Sequence, residues 1–215
     1  MNNIFNFTNK DELYKKCLYA SIAHAVMIGK YYLLSDEISW DGNNYLFQNM
    51  EGVRGVFAFS DRGVVAAVQN SERYIEGVSA IFDKLAERGN NELSKMIEKE
   101  IVPYFFVDDS DSVPGITSLF WSHNDSFLSC MSEEDVMKST DNILLPYLYE
   151  FDDLKKYWGD YYETDKEQMN FIDYLFEKRL LSDNFSLGED AKKLESWFGE
   201  KSILCKTALK EIGIG

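Results

Sequence analysis

Chemistry-bearing residues are scarce in this chain. Histidine occurs only as His24 and His123, so a Ser-His-Asp triad or a zinc centre would have to use one or both. Neither accompanies a Gly-x-Ser-x-Gly elbow or a His-Glu-x-x-His pair, which leaves nucleophilic catalysis without support. Cys17, Cys130 and Cys205 are odd in number, far apart and without Cys-x-x-Cys spacing. That argues against a disulfide framework or a zinc knuckle and fits a reducing cytoplasm. Proline occurs only as Pro103, Pro114 and Pro146, too few for a Pro-rich linker. The most apolar run near the start, Ala20 to Leu34, is broken by Ser21, His24 and Lys30 and is too short to span a membrane. The opening Met-Asn-Asn-Ile-Phe-Asn lacks the basic stretch of a signal peptide. The expectation is a soluble, cytoplasmic protein that neither enters a membrane nor is exported.

Positive charge is also sparse. The 215 residues hold 22 basic against 37 acidic side chains, a net charge of −15. Such a field repels nucleic-acid phosphates and anionic membranes and speeds encounter with cationic partners. Arg54, Arg62, Arg73, Arg88 and Arg179 are the only arginines, so no basic, aromatic nucleic-acid surface is expected. The acidity is uneven along the chain: residues 1–107 carry −3 and residues 108–215 carry −12. What is abundant is core material, 45% hydrophobic and 15% aromatic, enough for a sizeable folded core.

The pattern predicts an α+β fold. Thr8-Asn-Lys-Asp11 and Asn9-Lys-Asp-Glu12 each offer a helix cap, and Leu13, Cys17, Ala20, His24 and Ile28 then recur on one face. A helix over about 10–33 follows, with His24 and Cys17 as core residues; the two are about two turns, ~10 Å, apart. Glu37–Trp40, Tyr45–Asn49, Arg54–Ser60 and Val64–Gln69 are short, aromatic or β-branched, and separated by turn chemistry. They predict a four-stranded antiparallel meander, clearest in the hairpin Phe57 to Val68. Gly52-Val-Arg-Gly55 and Asp61-Arg-Gly63 lie between these strands, so hairpin turns explain them better than a phosphate cradle. Helical patterns follow over Ser71–Arg88 and Asn91–Glu100, then short strands over Tyr104–Val107, Ile116–Ser122 and Phe127–Cys130, with His123 in the turn between the last two. From Ser132 onward the chain reads as largely helical, with capping boxes at Ser132–Asp135, Thr164–Glu167 and Ser186–Glu189. A single domain over 1–215 is expected, with a candidate sub-domain boundary near 107–115, where the charge balance shifts.

Two stretches invite a functional reading. In Tyr104-Phe-Phe-Val-Asp-Asp-Ser-Asp-Ser112 an apolar segment runs into Asp108, Asp109 and Asp111. Asp109 and Asp111, one residue apart after a strand, could converge on a hard cation. Over these few residues the stretch resembles the Asp-x-Asp of nucleotide-sugar glycosyltransferases, but the βα alternation of that pattern is absent. The second stretch, Tyr147 to Glu167, holds seven acids, three lysines and seven aromatics. Seven aromatics exceed what one helical face buries, so some should be exposed as interface anchors. From it we single out Glu150, Asp152, Asp153, Tyr157, Trp158, Asp160, Tyr161, Tyr162 and Glu163 as candidate partner-binding residues.

Three functions fit this sequence. The first is an acidic, cytoplasmic interaction protein that masks a basic protein partner, for which bacterial toxin-immunity proteins are the nearest functional analogy. The second is a metal-dependent enzyme using Asp109 and Asp111. The third is a regulatory or scaffold domain that receives a peptide. We take the first as the expectation; it assigns no catalytic residue, no cofactor and no nucleic-acid or membrane partner.

Overall fold

The computed structural model describes residues 3–5, 9–70, 95–105, 115–123, 126–129 and 131–215. The fold is α+β, with an N-terminal helix, an antiparallel sheet and a largely helical C-terminal half. The chain forms two compact units, one of Met1–Leu13 and Asp41–Leu148, the other of Tyr14–Trp40 and Tyr149–Gly215. No single point in the sequence separates units built this way. The boundary expected near 107–115 falls within the span of the first.

The four predicted meander strands are β2 (Ile38–Asp41), β3 (Asn44–Gln48), β4 (Val53–Ser60) and β5 (Gly63–Asn70), preceded by β1 (Asn3–Phe5) and followed by β6 (Ser118–His123) and β7 (Ser126–Ser129). Their order in the sheet is β1-β7-β6-β5-β4-β3-β2. The later strands extend the meander sheet, because β6 pairs with β5 and brings Trp121 opposite Val65. In the β4–β5 hairpin Ser60 pairs with Gly63 across Asp61-Arg62, a two-residue connection of the kind that fixes register. His123 ends β6, paired with Ser126, one residue beyond where the sequence ended the strand.

Alternation sorts the side chains of the first unit onto two faces. Val56, Ala58, Val65, Ala67, Leu119 and Trp121 pack with Ile97, Ile101 and Phe105 in one buried cluster. Tyr45, Phe57 and Phe120 point the other way. There Tyr147 meets the Phe57 ring edge-on at 5.2 Å, and its hydroxyl hydrogen-bonds that of Tyr45 at 2.7 Å. Gly55 makes this face possible: the Phe47 ring lies where a Cβ on residue 55 would stand. A strand glycine that lets an aromatic approach the backbone has a packing role beyond flexibility.

Several local expectations shift. Tyr104 lies in a 3-10 turn, Val102–Tyr104, not in a strand. Pro103 sits in its first turn, where its missing N–H costs nothing and its fixed φ is suitable. Ile97–Ile101 is a π-helical turn. The helix expected over 71–88 and residues 91–94 of the next lie outside the described residues, as do residues 106–114 and Cys130.

Helix α1 (Lys10–Met27) starts as predicted, with the Glu12 amide donating to Asn9 Oδ1 at 3.0 Å. It ends six residues early, and the chain then turns through a 3-10 segment, Tyr32–Leu34. Gly29 sits where a Cβ would strike the Phe198 ring and Cys205 Sγ. From Cys17 on the helix is not buried on one face alone: Leu18, Tyr19, Ile22, Ala23 and Val26 are as buried as Cys17, Ala20 and His24, as the mostly apolar run Cys17–Met27 requires. The C-terminal half supplies α2 (Glu133–Ser139), α3 (Leu145–Leu148), α4 (Phe151–Tyr161), α5 (Lys166–Leu181), α6 (Ala191–Phe198) and α7 (Ser202–Glu211). Ser132 caps α2 as expected, accepting from the Asp135 amide at 3.1 Å. The next box is displaced by one residue. Asp165 accepts from the Gln168 amide and the Gln168 side chain accepts from the Asp165 amide, because Gln168 completes the reciprocal pair. At the expected Ser186 box the chain makes a 3-10 turn, Gly188–Asp190, whose N-cap is Leu187, without a side-chain cap.

Within the second unit Tyr19 meets Phe151 and Phe176 edge-on and donates to Asp173 at 3.0 Å. Asp173 also pairs with Lys155 at 3.0 Å. Phe171 packs edge-on against Trp197 at 5.5 Å.

Candidate functional site

Helix α4, its N-cap Glu150 and the turn after it carry the predicted partner-binding residues. The i, i+4, i+8 line Leu154, Trp158, Tyr162 faces inward, while Asp152, Asp153, Lys156 and Asp160 face solvent. Asp152 and Asp153 sit in the first turn, where carboxylates meet the positive end of the helix dipole. Glu150, Asp152, Asp153, Asp160 and Glu163 are all exposed, Tyr161 is 41% exposed and Tyr157 is half-buried. Trp158 and Tyr162 correct the expectation. They are buried, Trp158 at 7% exposure and Tyr162 at 0%, because their spacing places them on the core line of the helix.

Charge becomes local once the units are known. The first unit holds 20 acidic and 9 basic residues and the second 17 and 13. Outside Glu150–Glu167 the second unit has 10 of each, so its whole excess lies in that stretch. All seven acids there are exposed. Lys155, one of its three lysines, is held by Asp173. Among the described residues, no ion pair uses Glu150, Asp152, Asp153 or Asp160. Glu163 differs. Lys30 Nζ lies 3.3 Å from its carboxylate and Tyr31 donates to it at 2.6 Å. These bonds hold its pKa below the usual carboxylate range, the tyrosine first and the lysine second. They also anchor a residue with φ of 46°.

Behind this face two titratable groups are buried. His24 Nε2 lies 3.3 Å from the Ser35 carbonyl, and Nδ1 lies 2.8 Å from the Tyr162 hydroxyl. A carbonyl only accepts, so Nε2 carries the proton and Nδ1 accepts from Tyr162. Burial lowers the His24 pKa to about 4, against smaller opposing effects of Ser35 and Asp36. This is a satisfied core histidine. Glu37 is 7% exposed. Tyr161 donates to its Oε2 at 2.7 Å, and its Oε1 is buried without a hydrogen-bond partner among the described residues. The Trp158 Nε1–H is in the same condition. Burial pushes the Glu37 pKa up against the opposing tyrosine bond. Burial likewise raises the phenols of Tyr157 and Tyr161, reinforced by the charge of Glu37 nearby.

The first unit has a cleft of about 950 Å³ lined by Asp41, Asn44, Arg62, Lys99, Glu100 and Tyr104 among others. Several of its polar groups bond one another. Tyr104 donates to Asp41 at 2.8 Å, and the Asn44 amide lies 3.0 Å from the Tyr104 hydroxyl and 3.2 Å from Glu100. Lys99 pairs with Glu100 at 2.6 Å. These bonds tie Asp41 and Asn44 to Glu100 and Tyr104.

Asp108, Asp109 and Asp111, the candidate metal loop, lie outside the described residues. Among those described, no group of three or more His, Cys, Asp or Glu could hold a metal ion, and no helix is long and apolar enough to cross a membrane. Comparison with protein-family models, curated proteins and solved structures finds no match.

Sequence reasoning missed Glu37. At the threshold of β2 it resembles any polar residue between a turn and a strand, and nothing local links it to Tyr161, 124 positions away.

Proposed function

We propose that this chain is an acidic binding protein that masks a cationic protein partner, in the manner of a bacterial toxin-immunity protein acting in the cytoplasm. The binding face is the exposed side of α4 with Tyr157, Tyr161 and the turn at Glu163. One observation carries the reading: the second unit is charge-balanced except in Glu150–Glu167, where every acid is exposed. Asp152, Asp153 and Asp160, which enter no ion pair among the described residues, are free to steer and pair with lysine or arginine on an approaching surface. Tyr157 and Tyr161, near-parallel with centroids 6.1 Å apart, supply rigid aromatic area at the centre of a charged rim.

The test compares two variants with equal loss of charge. One carries D152N, D153N, D160N and E163Q on the α4 face. The other carries E51Q, E98Q, E133Q and E134Q, exposed positions of the first unit. Against an octa-arginine peptide the first set is expected to weaken affinity about tenfold, and the second no more than about twofold. Equal losses, or a larger loss from the second set, would mean that net charge and not this face does the binding.

A further inference from the structure

We propose that Glu37 is the anchor for one arginine side chain of the partner, whose guanidinium enters beneath Tyr161 and stacks against Tyr157. This rests on the reading above and gives it a specific contact. The α4 carboxylates are exposed and would attract any cation. Glu37 is different, because its Oε1 is withdrawn from water and lacks a donor among the described residues. Leaving a buried acceptor unmade is costly, and more so for a carboxylate. Such an atom in a native protein is accounted for by local strain, an ordered water or a bound group, and the aromatic surroundings of Glu37 favour a bound group.

The surroundings specify what completes it. Tyr161 is the common neighbour of both orphaned groups: it donates to Glu37 Oε2, and its ring meets Trp158 edge-on at 5.5 Å. It is also the most exposed member of this aromatic group and stands at the last position of α4, so rotation of its ring toward solvent uncovers Glu37. Tyr157 lies nearly parallel to it, at 15°, and offers a flat π-face. A planar, weakly hydrated cation with several N–H donors stacks on such faces and still pairs with a carboxylate. A lysine ammonium is more strongly hydrated and has no plane to stack.

The experiment titrates the full chain with n-butylguanidinium and n-butylammonium at millimolar concentration and follows the Trp158 indole N–H resonance. Butylguanidinium is expected to give a saturable shift, several-fold tighter than butylammonium. Glu37→Gln should abolish that shift while unfolding at the wild-type midpoint or above, since it removes a buried charge. Tyr161→Phe frees Oε2 and should bind at least as tightly as wild type. No saturable shift, an unchanged shift in Glu37→Gln, or equal binding of butylammonium would overturn the proposal. The D152N/D153N/D160N/E163Q variant should still take up butylguanidinium within about twofold of wild type. Loss of oligo-arginine steering and loss of the Glu37 anchor are therefore separable results.

Discussion

Phe57→Ala is expected to destabilise the first unit by about 3–5 kcal/mol, the range for removing a fully buried aromatic side chain. Phe57 has no solvent exposure and stands at the centre of one sheet face. Its ring lies 4.7 Å from Phe47, 5.2 Å from Tyr147, 6.0 Å from Tyr45 and 6.2 Å from Phe120. Its cross-strand partner Ala66 is small, so no neighbour on that side can fill the space. Gly55, which admits Phe47, would then face an unsupported ring. Trp121 is the only tryptophan of this unit, and with Trp40, Trp158 and Trp197 replaced by phenylalanine its fluorescence reports this unit's unfolding. The expected result is a lower urea midpoint with an unchanged slope. A loss below about 1 kcal/mol would mean that this face is not the packed core described.

The second large effect is a loss of stability in acid that originates at His24. The folded pKa of about 4 lies below the ordinary 6.5, so between these values the unfolded chain binds a proton that the folded chain refuses. The contribution is therefore complete above about pH 6.5 and falls away as pH drops toward 4, by about 3 kcal/mol in all. Among the described residues, the groups facing His24 are the Ser35 carbonyl, the Asp36 carboxylate and the Tyr162 hydroxyl. None supplies a buried countercharge to retain the imidazolium. Glu37 acts in the opposite sense, because its folded pKa is raised. It adds stability as pH falls toward its unfolded value and takes it away as pH rises. Glu37→Gln should thus steepen the acid loss, and His24→Gln should flatten it. Urea midpoints from pH 7.5 to 4.5 check both signs, and a flat wild-type profile would contradict the burial of a neutral histidine.

Much of the fold was legible because its signals are local. The alternation and turn residues of Glu37 to Gln69 place the four meander strands within a residue or two. The Asn9 and Ser132 caps need only their own neighbours. What was not legible depends on partners distant in sequence. The end of α1 is set where Gly29 approaches Phe198 and Cys205. The two units interleave along the chain, so a shift of charge in the sequence could not mark their boundary. At the candidate site, composition singled out a segment but not its inner and outer faces. Trp158 and Tyr162 share the composition of Tyr161 but lie on the buried helical line through Leu154. Glu37 had no signal at all, since its meaning comes from a tyrosine brought to it by folding.

The central claim is that the α4 face, and not the acidity of the whole chain, recognises a cationic surface. Its most direct test is the association rate with octa-arginine from about 20 to about 300 mM salt, where screening removes long-range steering. The wild-type rate should fall steeply with salt. D152N/D153N/D160N/E163Q should flatten that dependence, and E51Q/E98Q/E133Q/E134Q should leave it nearly as steep, although the first unit is the more acidic of the two. Equal slopes for the two variants, or a salt-independent wild-type rate, would contradict the account.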